Sequence, residues 1–168
     1  MLEARSVADV MSRPVVVIGP HARAADVLAV AESKHIHHFP VVHAGKLVGF
    51  VCTCDLAQAA PRDAVMPFAW HYPATVSPSC PLPDAAQLLL LHGVGSFVVV
   101  DPGGIRGIVT CDDLRRASPE LEALLEPARC VACGAGAHLR PGSDGKPLCM
   151  RCKPRTARPL QQTTGKEQ

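Results

Sequence analysis

Two octapeptides decide how this chain is read: "GFVCTCDL" at residues 49–56 and "GIVTCDDL" at residues 107–114. They lie 58 residues apart, and at that shift the agreement runs outward. Pro20 meets Pro78, Asp26 meets Asp84, Phe39 meets Phe97, and Val41 and Val42 meet Val99 and Val100. Gly45 meets Gly103, Gly49 meets Gly107, and Asp55 and Leu56 meet Asp113 and Leu114. Upstream, "ADVM" (8–11) and "DAVM" (63–66) agree at a shift of 55, which predicts three extra residues in the second copy near "FAWH". A long internal repeat of this kind must be settled before any fold is assigned.

Both copies follow one order of elements. A short extended run, residues 15–18 or 74–76, leads to Pro20 or Pro78. A helix is predicted next, with apolar residues at Ala24, Val27, Leu28 and Ala31 matched by Leu82, Ala85, Ala86 and Leu89. The i, i+3, i+4, i+7 spacing marks one buried helical face. Two strands follow around the tight turns "HAGK" and "DPGG", whose glycines suit positive φ. A second helix is predicted straight after each octapeptide. A strand-helix-strand-strand-helix unit of this size cannot cover both sheet faces alone. The expectation is an α+β body of two repeats packed sheet to sheet with pseudo-twofold symmetry.

With "VADVM", "IHHFPVVHAGKLVGFV..CDL" and "GIVTCDDL" in place, each copy resembles a CBS (cystathionine β-synthase) domain, and the pair resembles a Bateman module. The resemblance covers residues 1–117, with repeats at 1–60 and 61–117. The second copy departs from it in carrying Val98 where the first has Pro40, and "VGSF" in place of "IHHF". The resemblance implies a cleft between the repeats that holds an adenine-type nucleotide such as AMP or ATP. Asp113 would take the ribose hydroxyls, Thr110 a phosphate, and Thr75 and Val76 the purine. In the first copy Asp55 keeps its place, but Cys52 stands where Thr110 offers a hydroxyl. His37 and His38 would lie near ligand phosphates. The family habit is a twofold dimer that regulates another protein, here unidentified.

The local chemistry supports more than one reading. A carboxylate accepts both donors of a cis-diol, and a hydroxyl among free N–H groups at a helix start suits an anion. Thr110 with Asp113 three residues on also fits a capping box, a purely structural device. His35, His37, His38 and His43 fit surface or packing roles, phosphate contact or metal binding. Cys52, Cys54 and Cys111 fit small buried residues or a thiol redox switch.

Composition narrows the classes. Hydrophobic residues make up 48% of the 168, enough for a packed core, while aromatics at 4% nearly exclude stacking platforms for single strands. The apolar runs are far shorter than the roughly 20 residues that span a bilayer. With no leader pattern at the start, a cytoplasmic protein without membrane contact is expected. Residues 1–126 hold nine basic and thirteen acidic residues, and residues 127–168 hold eight and two. The composition therefore breaks near Pro127.

Residues 118–127 predict a linker helix, capped by Ser118, opened by Pro119 and closed by Pro127, with an apolar stripe of Leu121, Leu124 and Leu125 that needs a docking face. Then Cys130, Cys133, Cys149 and Cys152 form two C-x2-C pairs fifteen residues apart. Each pair chelates one side of a tetrahedral ion, and the segment has too little core to fold without one. Residues 128–153 resemble a zinc ribbon, with an iron site as the second option and disulfides or free thiols as the structural alternative. Gly134 suits the knuckle turn. Residues 154–168 predict a disordered basic tail. No catalytic constellation shows. The functional expectation is a non-enzymatic nucleotide sensor with a structural zinc ribbon for partner contact. The rivals are a nucleic-acid-associated regulator and a metal or redox sensor. Residues 128–168 contain no aromatic side chain, so weak, non-specific, salt-sensitive phosphate contact is the most the tail would offer nucleic acid.

Overall fold

A computed structural model of the chain describes residues 5–126, 129–134, 139–141, 146–149 and 152. The predicted tail, residues 154–168, lies outside them. In chain order the elements are α1 (Ala24–Lys34), β1 (His38–His43), β2 (Lys46–Cys52), β3 (Thr75–Val76), α2 (Leu82–His92), β4 (Ser96–Asp101), β5 (Gly104–Thr110), α3 (Cys111–Ala117), α4 (Pro119–Leu124), β6 (Leu139–Pro141) and β7 (Pro147–Cys149).

The repeat holds down to the hydrogen bond. β1 and β2 form an antiparallel hairpin in which His38 faces Cys52. β4 and β5 do the same with Ser96 facing Thr110. Both hairpins slip by one residue at the same place, between Val41 and Val42 and between Val99 and Val100. Each slip leaves one residue extra on the second strand, a β-bulge, and sharpens the local twist. The turn between β1 and β2 puts both Ala44 and Gly45 at positive φ. Such a turn matches the twist of its flanking strands.

The predicted run at residues 15–18 makes one parallel bridge, Ile18 to Val41, whereas the second copy pairs β3 with β4 over two residues. The reason is Pro40. Its counterpart Val98 donates its N–H to the Ala74 carbonyl at 3.0 Å. Proline has no N–H to give. The helix predicted after the first octapeptide is also absent: residues 53–58 are successive turns, while α3 follows the second octapeptide. α3 carries the i, i+3 pairs Asp112–Arg115 and Asp113–Arg116. The first copy has Cys54, Ala57 and Gln58 at three of those positions.

The helical faces appear as expected, with one exception. Ala24, Val27 and Ala31 are buried on α1, and Leu82, Ala85, Ala86 and Leu89 on α2. Leu28 is 38% exposed and does not join the core.

Each repeat completes the other. Val7 and Met11 are buried in the core built by α2, β4 and β5. Val65 and Ala69 are buried in the core built by α1, β1 and β2. The leader of each copy therefore packs on the opposite copy. The backbone bonds obey the 58-residue shift throughout: Val7 N–H to the Cys80 carbonyl and Val65 N–H to the Ala22 carbonyl, both at 2.9 Å. Ser12 bridges Ile108 as Trp70 bridges Phe50. There are no three extra residues near "FAWH"; the agreement of "ADVM" with "DAVM" is out of structural register. The octapeptide glycines serve this exchange. A Cβ on Gly107 would lie 2.5 Å from Met11 Sδ, and one on Gly49 would lie 3.2 Å from Ala69 Cβ.

α4 begins as predicted, with Ser118 accepting from the Leu121 N–H and Pro119 in the first turn, but it ends at Leu124, and Pro127, the predicted stop, lies outside the described residues. Its stripe docks: Leu121 and Leu125 join the core of the second repeat. No helix among the described residues is long and apolar enough to cross a membrane.

Candidate ligand cleft and cysteine site

A cleft of about 630 Å³ opens between the repeats. Its walls are pseudo-symmetric, because the lining residues fall into pairs at the same shift: Pro14 with Tyr72, Val16 with Ala74, Phe50 with Ile108, Cys52 with Thr110, and Asp55 with Asp113. His35, His37 and His38 line one half, and Gly93, Gly95 and Ser96 hold the equivalent places in the other. Of the residues expected there, Thr110, Asp113, Asp55, Cys52, His37 and His38 are brought together. Thr75 and Val76 are not among the lining residues. Val76 turns into the core at 7% exposure, and Pro73 and Ala74 take the wall instead.

Thr110 and Asp113 form a complete capping box. Asp113 Oδ2 accepts from the Thr110 N–H at 2.8 Å and from the Thr110 hydroxyl at 2.7 Å. The Thr110 hydroxyl oxygen in turn accepts from the Asp113 N–H at 3.2 Å. Arg116 Nη2 donates to Asp113 Oδ1 at the cleft edge. The structural reading of this pair is therefore correct in geometry, and the carboxylate still faces the cleft. The first copy keeps half of the box. Asp55 Oδ2 accepts from the Cys52 N–H at 3.0 Å, and Cys52 Sγ accepts from the Cys54 N–H at 3.3 Å. Thr53 does not cap in its place, since its Oγ1 lies 3.4 Å from His37 Nδ1. His38 stacks on Phe50 with ring centroids 5.5 Å apart.

The buried thiols are held protonated. The neighbouring Cys54 thiol, with burial, pushes Cys52 well above the ordinary thiol range. Burial pushes Cys111 up to about 11. Thiolate is the reactive form, and both shifts run against it.

Sequence reasoning missed Arg116, His92, Trp70 and Tyr72, all of which line the cleft. Trp70 and Tyr72 are the chain's only tryptophan and only tyrosine, and Tyr72 is 96% exposed. A solitary tyrosine two residues from a solitary tryptophan in an aromatic-poor chain was the available signal.

Outside the cleft, the Sγ atoms of Cys130, Cys133 and Cys152 all lie within 4.8 Å of one another. An S₄ tetrahedron with metal–sulfur bonds of about 2.3 Å has edges of about 3.8 Å, so this cluster fits a tetrahedral thiolate site. Gly134 takes φ 74° and its N–H donates to the Cys130 carbonyl at 2.8 Å, closing the first knuckle. β6 and β7 pair antiparallel with Cys149 opposite Leu139, which puts the backbone of the fourth cysteine in the same hairpin.

Two repeats that exchange leaders around a shared cleft define a paired α+β module. The CBS-domain family model matches it twice, over residues 7–62 and 65–120, and the chain belongs to that family. Among solved structures, CBSX2 in complex with AMP is 27% identical, with a TM-score of 0.59, over 70% of this chain and 98% of that one. The CBS domain pair of protein MJ0100, in complex with 5′-methylthioadenosine and S-adenosyl-L-methionine, is 25% identical, with a TM-score of 0.61, over 67% of this chain and 98% of that one. A curated A-adding tRNA nucleotidyltransferase from Aquifex aeolicus is 30% identical over 123 residues, 70% of this chain but 15% of that protein.

Proposed function

We propose that the protein is a non-catalytic regulatory sensor that binds an adenine-type nucleotide in the cleft between its repeats. The observation that carries this is the buried Asp113 carboxylate, set at a helix start and facing a cleft between paired repeats, in a fold whose similar structures hold AMP or S-adenosyl-L-methionine. The Thr110–Asp113 half is the working site. Asp113 meets the ribose diol, Thr110, His92 and Arg116 meet the charged end, and the first half, with Cys52, binds phosphate more weakly. Val76, buried behind the wall, and Thr75, paired with Val98, fix Pro73 and Ala74.

The four cysteines hold one zinc ion as thiolates in a structural ribbon at residues 128–153, the surface for a regulated partner protein. Zinc supplies folding energy there and no chemistry. Residues 1–60 and 61–117 are the repeats and 118–127 the linker helix of this organisation. A twofold dimer and a cytoplasmic location complete it.

Calorimetric titration with AMP, ATP and S-adenosyl-L-methionine tests the nucleotide reading. One ligand should bind, Asp113→Asn should weaken it about tenfold or more, and Asp55→Asn should change it little, since a hydrogen bond to a charged group contributes roughly 1.5–3 kcal/mol. Equal losses, or no binding at all, would remove the assignment.

A further inference from the structure

Helix α3 has two sets of neighbours. Its cap Thr110 and its residues Asp112, Asp113 and Arg116 line the cleft. Its buried side packs into the core of the second repeat. Arg115 on that side is only 8% exposed, and its Nη2 donates to the Leu125 carbonyl at 3.2 Å, just past the end of α4. Leu125 is fully buried, and Cys130, five residues on, is 2% exposed. Both belong to the core that contains Cys111 and Leu114 of α3, and Leu148 of β7 packs against it. Cys130 is thus a core residue of the second repeat as well as a member of the thiol cluster. Among the described residues, the core of the first repeat includes none from the cysteine segment.

We propose that metal capture by the cysteine site fixes α3 in place and thereby sets the geometry of the Thr110–Asp113 half of the cleft, leaving the Cys52–Asp55 half unaffected. The proposal rests on the metal reading above. Its physical basis is that a thiolate site of this kind folds when it binds its ion. Folding of the cysteine segment holds Cys130 in the core it shares with Leu125, and the Leu125 carbonyl in turn holds Arg115. Without the ion, that side of α3 loses part of its cover, and the helix opens more often. Because linkage is reciprocal, a ligand that holds Asp113 also tightens binding of the metal.

The test is amide hydrogen exchange on the full chain in three states: zinc-loaded, stripped with a chelator, and reloaded with zinc chloride, with metal content measured in each. The expected result is one zinc per chain and, on stripping, exchange across 111–125 faster by about tenfold or more, including the Asp113 amide, with 38–52 changed by less than about twofold and full recovery on reloading. Unchanged protection of 111–125 in a chain that has lost its zinc overturns the coupling and leaves the metal site standing. Equal loss in both repeats overturns the claim that one half is singled out. A chain that neither carries zinc nor alters any amide when zinc is added overturns the metal reading and the coupling with it.

Discussion

Cys52→Thr should repair the first repeat. The rest of its capping box is already present: the Asp55 carboxylate is buried, 4% exposed, and accepts from the residue 52 N–H at 3.0 Å. The strand register at that point, His38 facing Cys52, is the same as Ser96 facing Thr110. A threonine hydroxyl there would reach Asp55 as Thr110 reaches Asp113, at 2.7 Å. An N-cap hydroxyl contributes about 1 kcal/mol, and a hydrogen bond to a carboxylate roughly 1.5–3 kcal/mol when fully made. Against this stand the added methyl, which costs about 1–3 kcal/mol where packing is tight, and the lost contact of the Cys54 N–H with Cys52 Sγ. The balance is a gain of about 1 kcal/mol, or roughly 2–4 °C in melting temperature for a chain of this length.

Cys52→Ser separates the two terms, because serine brings the hydroxyl without the methyl. Thr110→Cys is the mirror experiment and should lose about 1–2 kcal/mol, since it leaves Asp113 with one donor fewer in a buried place. Denaturant unfolding of the four proteins, all at the same metal content, gives the numbers, and far-UV circular dichroism reports any helix gained after residue 52. If Thr110→Cys is within experimental error of the wild type, the capping box is not what separates the two repeats. If both Cys52 variants are neutral, the turns at 53–58 owe their form to the missing ion pairs instead.

Two further outcomes follow from the core. Gly49→Ala places a Cβ 3.2 Å from Ala69 Cβ and 3.3 Å from the Trp70 carbonyl oxygen, so the exchanged leader must shift. The expected loss is about 1–3 kcal/mol, whereas Gly19→Ala, with nothing within 4 Å, should be neutral or slightly stabilising; equal effects in thermal unfolding would show that leader contact is not the reason for the glycine. Cys111 is held protonated up to about 11 in the folded chain against 9.0 for a free thiol. The folded state therefore binds the proton more tightly, and stability present below pH 9 should be lost as pH rises toward 11. The loss is on the order of 3 kcal/mol, and a Cys111→Ala variant should show a flatter profile over that window in pH-dependent unfolding.

The hairpins, the faces of α1 and α2, and the knuckle at Gly134 were legible because each depends on residues close in sequence. What failed depended on partners far away. The departure at Pro40 was visible, but its consequence, a missing N–H for the strand before it, appears only when Val98 is seen donating to Ala74. Thr75 and Val76 were placed on the cleft wall by resemblance, yet the parallel pairing of β3 turns Val76 into the core.

The leader was misread for a more general reason. "ADVM" and "DAVM" agree at a shift of 55 through residue identity, which puts Val10 opposite Val65. Val10 is only partly buried and Val65 is fully buried. At a shift of 58 the identities are poorer, but Val7 meets Val65, both fully buried, and Met11 meets Ala69, at 8% and 1% exposure. A leader that packs on the other repeat is selected for where its apolar side chains point, and several apolar residues fill such a place equally well. Register in an exchanged segment is therefore carried by the spacing of its buried positions relative to Gly49 and Gly107, the two residues whose missing Cβ atoms make room for it.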